Sequence, residues 1–348
     1  MAQALAIKYR PTTFDDITEQ SAIKDILKNQ IETDTIKHGY LFTGPAGCGK
    51  TTAARIFANE INKGQGSPIE LDAASNNSVE DIRRITEQSQ TQSLDSEYKV
   101  FILDEVHSLS SQAWQAFLKT LEEPPAKSIF IMCTTNPEKI PATILSRAQR
   151  YNFQKISTEG IFERLKYIIE CENVEISNKS IDIHYQDEAI SYISKLCEGG
   201  MRDGITLLDK CLSYSNNLTV ENVVKALGVA DYDIMLDLND TIFKSDITGM
   251  IVLINRVYSS GVDLKQFIKT YFEFILDANI LSMTGDKSMV KIPDNCLPQL
   301  REYGDAEWDI CKSLLDELVD LQNSIKYEQN SKAVIIAKFI LFMKRGSE

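Results

Sequence analysis

Eight residues constrain this chain more than any others: Gly44-Pro45-Ala46-Gly47-Cys48-Gly49-Lys50-Thr51. They match the spacing G-x-x-x-x-G-K-[ST]. They also lie between a short apolar run, Tyr40-Leu41-Phe42-Thr43, and a stretch from Thr51 to Asn62 with helical periodicity. Strand, glycine turn and helix form the context in which that spacing has a physical meaning. Glycines let the backbone curl until its N–H groups converge, and the following helix adds its positive end at the same place. Such a loop takes a phosphate. Lys50 reaches the β- and γ-phosphates of a bound nucleotide, and the Thr51 hydroxyl ligates Mg²⁺.

The sequence around the loop fits an α/β sheet. Ile69-Glu70-Leu71 is a second short strand, and Val79 to Gln88 has helical spacing. Lys99-Val100-Phe101-Ile102-Leu103 and Ser128 to Cys133 are buried-strand runs; between them Ser111 to Glu122 carries Trp114, Phe117, Leu118 and Leu121 on one helical face. Strands alternating with helices predict a parallel sheet covered on both faces. After Lys155 the strand signals fade. Thr158 to Glu170, Asp187 to Glu198, Arg202 to Tyr214 and Val220 to Leu227 read as helices, with Asp187 and Thr219 as N-caps and Gly199-Gly200 as a stop. A hinge is expected around 228–231. Helices resume to the end, broken near Gly261 and over Thr284 to Pro298, and the last two run over Asp305 to Asn323 and Lys332 to Lys344.

A second constellation lies fifty residues beyond the loop. The run Val100 to Leu103 ends in Asp104-Glu105. Carboxylates at the carboxyl end of a parallel strand land where ligands bind in such sheets. Asp104 is expected to hold Mg²⁺, directly or through water, and Glu105 to orient the attacking water or take its proton. An acidic pair ending a strand is also ordinary solvated surface; its place beside the phosphate loop favours the chemical role. His107, a lone histidine, is read as a packing residue. After the next strand, Thr134-Thr135-Asn136 offers side chains for the γ-phosphate or the lytic water, although Asn136-Pro137 is also a turn signal. Which of the three acts is left open, with Thr135 and Asn136 as candidates.

Six segments occur in order: Tyr9-Arg10-Pro11 with Phe14-Asp15-Asp16-Ile17, the phosphate loop, Leu71-Asp72-Ala73-Ala74-Ser75-Asn76-Asn77, Asp104-Glu105-Val106-His107, Leu118-Lys119-Thr120-Leu121-Glu122-Glu123-Pro124-Pro125 and Ile144-Leu145-Ser146-Arg147. Together they resemble the ATPase subunits of sliding-clamp loaders, in particular the bacterial DNA polymerase III gamma/tau family. The likeness is dense over residues 5–155, moderate to about 230, and mostly helical texture beyond. It implies a P-loop AAA+ domain at 1–156, an all-α lid at 157–229 and an all-α collar for oligomerisation at 230–348. Tyr9, Arg10, Pro11 and Ile17 would lie around adenine and ribose, and Gly44 through Thr51, with Thr52, around the phosphates. Arg147 would be an arginine finger reaching a neighbouring subunit's ATP. Arg202, in Gly199-Gly200-Met201-Arg202-Asp203, would contact the γ-phosphate of the chain's own nucleotide. A planar, permanent cation suits both tasks.

The resemblance also implies an ATPase within a polymerase holoenzyme-type complex. Its partners would be other loader subunits in a pentameric ring, a sliding clamp and primer–template DNA. Three departures stand out. Only Asn62 to Pro68 occupies the place of the family's four-cysteine zinc module, so ATP and Mg²⁺ are expected without zinc. Ala148 replaces the cysteine of Ser-Arg-Cys. The chain ends after its collar-like helices, without the long tail of tau-type subunits. Rival readings are a branch-migration AAA+ motor and a nucleotide-locked subunit without turnover.

Composition bears on the DNA expectation. The formal charge is −13, from 37 Lys+Arg against 50 Asp+Glu. Residues 1–155 hold 17 basic and 19 acidic side chains (17 − 19 = −2), and the rest 20 and 31 (20 − 31 = −11). The acidity lies in the second half and leaves the first free to meet phosphate. There Ser75, Asn76 and Asn77 open a helix carrying Arg83 and Arg84, an element suited to a phosphate backbone or, equally, a capped helix with its arginines in solvent ion pairs. Seven scattered cysteines, odd in number and never C-x-x-C, read as free thiols. The amino terminus carries no secretory h-region, and no apolar run nears a membrane span, so a cytoplasmic protein is expected.

Overall fold

In a computed structural model of the chain, residues 3–176, 182–227, 232–290, 292, 297–301, 303–328 and 330–345 are described. The expected hinge at 228–231 and Cys296 lie outside them. The chain divides into two compact units, one of residues 1–180 with 193–209 and one of 181–192 with 210–348.

The first unit is built on a five-stranded sheet. Its elements are α1 (Leu5–Lys8), α2 (Ser21–Glu32), β1 (Gly39–Thr43), α3 (Lys50–Ile61), β2 (Ile69–Asp72), α4 (Val79–Ser89) and β3 (Lys99–Asp104). They continue with α5 (Ser111–Glu122), β4 (Ser128–Thr134), α6 (Ala142–Leu145), β5 (Gln149–Asn152) and α7 (Thr158–Ile176). The strand order is β2-β3-β4-β1-β5, with every pairing parallel. Strands β1 and β4 are buried along their whole length. Because side chains alternate along a strand, they feed two cores. Tyr40, Phe42, Val100, Ile102, Ile129 and Ile131 pack with Ala54 and Phe57 of α3 and Leu27 of α2. Leu41, Phe101, Leu103, Phe130 and Met132 pack with Ile82 and Ile85 of α4 and Trp114 and Phe117 of α5. The sheet covered on both faces is therefore present, as the strand runs predict.

Two elements add to the reading. Strand β5 exposes Gln149, Arg150 and Asn152 and buries only Tyr151, so this sheet-edge strand carries no apolar run. Helix α2 buries Leu27 and Gln30, whose side chain accepts from Tyr40 Oη at 3.0 Å and donates to Gln149 Oε1 at 2.8 Å.

The second unit is helical apart from a two-residue parallel pair, β6 (His184–Tyr185) with β7 (Asn217–Leu218). Helices α8 (Asp187–Leu196) and α9 (Met201–Tyr214) contain the points of division between the units. Helix α10 (Val220–Leu227) follows, capped by Thr219, whose Oγ1 accepts from Asn222 N at 3.2 Å. Then come α11 (Tyr232–Phe243), α12 (Ile247–Ser259), α13 (Leu264–Thr284), α14 (Leu297–Arg301), α15 (Asp305–Ile325) and α16 (Ser331–Arg345). Helix α13 packs on α15 and α15 on α16. Their stripes bury Phe267, Tyr271 and Phe274, Leu314, Leu318 and Leu321, and Ile335 and Phe339. One polar group is built into this core: Tyr271 Oη donates to Asn239 Oδ1, and Asn239 Nδ2 donates to Tyr303 Oη at 3.1 Å. A satisfied buried network of this kind fixes which helix faces meet.

Candidate active site

Strands β3, β4 and β1 are neighbours, so the loops leaving their carboxyl ends converge on one edge of the sheet. The phosphate loop leaves β1 through three left-handed glycines, with φ of +146° at Gly44, +71° at Gly47 and +99° at Gly49. Gly49 caps α3 with nothing near its missing Cβ, so backbone conformation alone demands glycine there. At Gly47 space is also short, since a Cβ would stand 3.0 Å from Gly200 Cα. Met201 N donates to Gly47 O at 3.0 Å and ties the loop to the start of α9.

Lys50 is 5% exposed, and its Nζ donates to Gly44 O at 2.9 Å and Pro45 O at 2.7 Å. Thr51 Oγ1 donates to Asp104 Oδ2 at 2.7 Å. Hydroxyl and carboxylate oxygens that close are hard donors of the kind Mg²⁺ selects, and they fit that ion. Asp104 Oδ1 also accepts from Glu105 N at 3.0 Å, and Glu105 adopts the left-handed conformation at φ +49°. Glu105 Oε2 accepts from Thr135 Oγ1 at 3.0 Å and Thr135 N at 3.3 Å, and lies 3.1 Å from His107 Nδ1. Of Thr134, Thr135 and Asn136 at the end of β4 and just beyond it, Thr135 is the one whose side chain meets Glu105. Thr134 Oγ1 accepts from Asn136 N at 3.0 Å.

A cleft enclosing about 1030 Å³, part of it open to solvent, runs beside these groups. Its wall includes Tyr9, Arg10, Pro11 and Ile17, the loop from Ala46 to Thr52, Asp104, Glu105 and Arg202. The amino-terminal segment is held firmly at this wall. Tyr9 Oη donates to Glu172 Oε1 at 2.8 Å, Arg164 Nη2 donates to Tyr9 O at 3.0 Å, and Lys24 Nζ donates to Ile17 O at 2.9 Å. Asp16 accepts from Thr13 Oγ1 at 2.8 Å, a bond that holds its carboxyl below the usual carboxylate range. The cleft also contains residues the sequence reading did not single out, namely Ala6, Thr18, Ile156, Arg164, Met201 and Ile205. Arg164 sits in a helix among other charged residues and has no motif to mark it.

Other expected site residues lie elsewhere. Arg147, at the end of α6, donates through Nη1 to Thr143 O at 2.7 Å and through Nη2 to Glu122 Oε1 at 2.7 Å, away from this cleft. Ser75 Oγ donates to Asp72 Oδ2 at 3.0 Å and Asn76 Nδ2 to Asp72 O at 3.0 Å, so these donors shape the turn after β2. Asn77, Arg83 and Arg84 are exposed, with Arg83 3.9 Å from Glu80. Among the described residues no group of three or more His, Cys, Asp or Glu could hold a metal, and no helix is long and apolar enough to cross a membrane.

The sequence matches the family model described as DNA polymerase III, delta subunit, over residues 19–78 and 68–157. It matches the model for domain III of DNA polymerase III subunits gamma and tau over residues 218–305. DNA polymerase III subunit tau of Bacillus subtilis (strain 168) is 34% identical over 94% of this chain, which spans 60% of that protein. The gamma/tau subunit of Mycoplasma pneumoniae is 34% identical over 85% of this chain, which spans 46% of it. DNA polymerase III subunit gamma of Buchnera aphidicola subsp. Acyrthosiphon pisum is 32% identical over 78% of this chain and 79% of its own length. Among solved structures, the Thermotoga maritima RuvB Holliday junction branch migration motor covers 73% of this chain and 86% of its own. Its TM-score is 0.51 at 19% identity, a likeness of fold alone. On an AAA+ fold, with one-third identity to a gamma subunit over most of both chains, this chain belongs to the DNA polymerase III gamma/tau family.

Proposed function

We propose that this chain is the ATP-hydrolysing subunit of a sliding-clamp loader, coupling ATP binding and hydrolysis to opening a clamp and placing it on primer–template DNA. The observation that carries the reading is the convergence of Lys50, Thr51, Asp104 and Glu105 at one sheet edge, with Thr51 and Asp104 at 2.7 Å. Tyr9, Arg10, Pro11 and Ile17 take the adenosine. The backbone N–H groups from Ala46 to Thr52 take the phosphates, with Arg202 and Lys50 supplying positive charge. Thr51 and Asp104 would hold Mg²⁺, which when bound screens charge on the phosphate oxygens. Glu105 accepts a proton from water as its oxygen attacks the γ-phosphorus and the bond to the ADP oxygen breaks. Thr135 steadies Glu105, and Asn136 lies at the same edge. Zinc has no part in this scheme.

Its partners are the other subunits of a pentameric ring, the clamp and the DNA, in the cytoplasm. The proposed partition is 1–156 for the nucleotide, 157–229 for the lid and 230–348 for the collar. Arg147 acts in trans on a neighbour's ATP. Ser75, Asn76, Asn77, Arg83 and Arg84 face the DNA backbone, with the bonds to Asp72 presetting the turn. Glu105→Gln tests the reading. ATP should still bind with wild-type affinity while hydrolysis stimulated by primed DNA and clamp falls by at least about a hundredfold. A native chain that binds ATP without turnover in the assembled complex would replace this reading with that of a nucleotide-locked subunit.

A further inference from the structure

The reaction proposed above leans on Glu105, and three donors meet one of its carboxylate oxygens. Thr135 supplies two of them, hydroxyl and amide, to Oε2. The third is His107, on the single turn Val106–Ser108 that follows the Asp-Glu pair. Its Nδ1 lies 3.1 Å from Glu105 Oε2 and 3.1 Å from Thr134 Oγ1. An ionised carboxylate only accepts hydrogen bonds, so His107 bonds it through the tautomer with the proton on Nδ1. The ring is mostly enclosed, with 16% of its side chain exposed, and is pinned between the end of β4 and Glu105. Thr134 is itself fixed by the Asn136 amide and fully buried.

We propose that His107 is a positioning residue for Glu105. Its Nδ1–H and the Thr135 donors hold Oε2 against the end of β4, and the other oxygen, Oε1, is turned to the water that attacks. The backbone there is fixed as well, since Glu105 N is bound to Asp104 Oδ1 and Glu105 holds a left-handed φ of +49°. His107 itself touches no reacting atom. Without its donor the carboxylate rotates more freely, and fewer water encounters find it in line. The inference rests on Glu105 being the base.

Steady-state ATP hydrolysis by the full chain in its assembled complex, together with the affinity for a fluorescent ATP analogue, tests it. In His107→Ala, kcat should fall about tenfold, the scale of losing one charge-assisted hydrogen bond. KM and analogue affinity should stay within about twofold. His107→Asn, whose amide can place a donor near the Nδ1 position, should return kcat to within about threefold of wild type. A wild-type kcat in His107→Ala overturns the proposal. So does analogue affinity that falls in step with kcat, or an Asn variant as slow as the Ala variant. Glu105→Gln runs alongside. Should it hydrolyse ATP at the native rate, the assignment of Glu105 fails instead, whatever His107 does.

Discussion

Cys48 shows how a residue inside a phosphate loop can be chemically quiet. Its thiol is 1% exposed and donates to Pro45 O at 3.0 Å. Burial pushes the thiol above its ordinary range, with Lys50 opposing the shift. A raised pKa means less thiolate at any given pH, and thiolate is the nucleophile. Cys48 should therefore alkylate at pH 8 more than about tenfold slower than a free cysteine, followed by mass spectrometry of the native and unfolded chain. Rapid native-state labelling would contradict the burial argument. At this scale the sequence was legible where function dictates local geometry: the loop glycines, Lys50, Thr51, Asp104 and Glu105 all carry spacing signals. His107 and Arg164 were not, because their placement depends on which side chains the fold brings to them. Their partners, Thr134 and Tyr9, lie 27 and 155 residues away.

At the scale of elements, helix α4 is the best local test. Ser78 Oγ accepts from Asp81 N at 3.3 Å, and Asp81 Oδ2 accepts from Ser78 N at 3.2 Å and from the Ser78 hydroxyl at 2.6 Å. Ser78→Ala removes the cap and should cost about 1 kcal/mol, measured by denaturant unfolding. The bond from Ser78 holds the Asp81 carboxyl below its ordinary 3.8. Its folded value is thus depressed, so its contribution is complete above 3.8 and is lost as pH falls through the lower folded value. The stability gap between native and Ser78→Ala chains should therefore be widest above pH 4 and narrow as the pH falls below it. A gap independent of pH would separate the cap from the Asp81 bond. Strands β1, β3 and β4 lie in the sheet interior and read as apolar runs; of the two edge strands, β2 still shows Ile69 and Leu71, whereas β5 buries only Tyr151 and carries no apolar run to mark it.

At the scale of the whole molecule, Arg147 is the residue whose proposed role a single chain cannot complete. Its pairing with Glu122 is partly exposed, and such pairs are worth only about 0–1 kcal/mol. A neighbour's triphosphate can displace it at little cost. Arg147→Ala chains should keep ATP affinity and assembly while turnover in the complex drops about a thousandfold. Full turnover in an assembled variant would remove the trans finger. The charge split, −2 against −11, supports the proposal that the first 155 residues meet DNA, and any such binding should weaken steeply with salt. The chain's sequence alone determined the interior strands of the sheet, the phosphate loop and the acidic pair, because each rests on spacing along the chain or on strands buried on both faces, and the family followed from segments that resemble its members. Only tertiary structure decided that Thr135 and His107 share one oxygen of Glu105 and that Arg164 joins the cleft. Those outcomes depend on side chains meeting across separate strands and helices, and no local pattern in the sequence specifies such meetings.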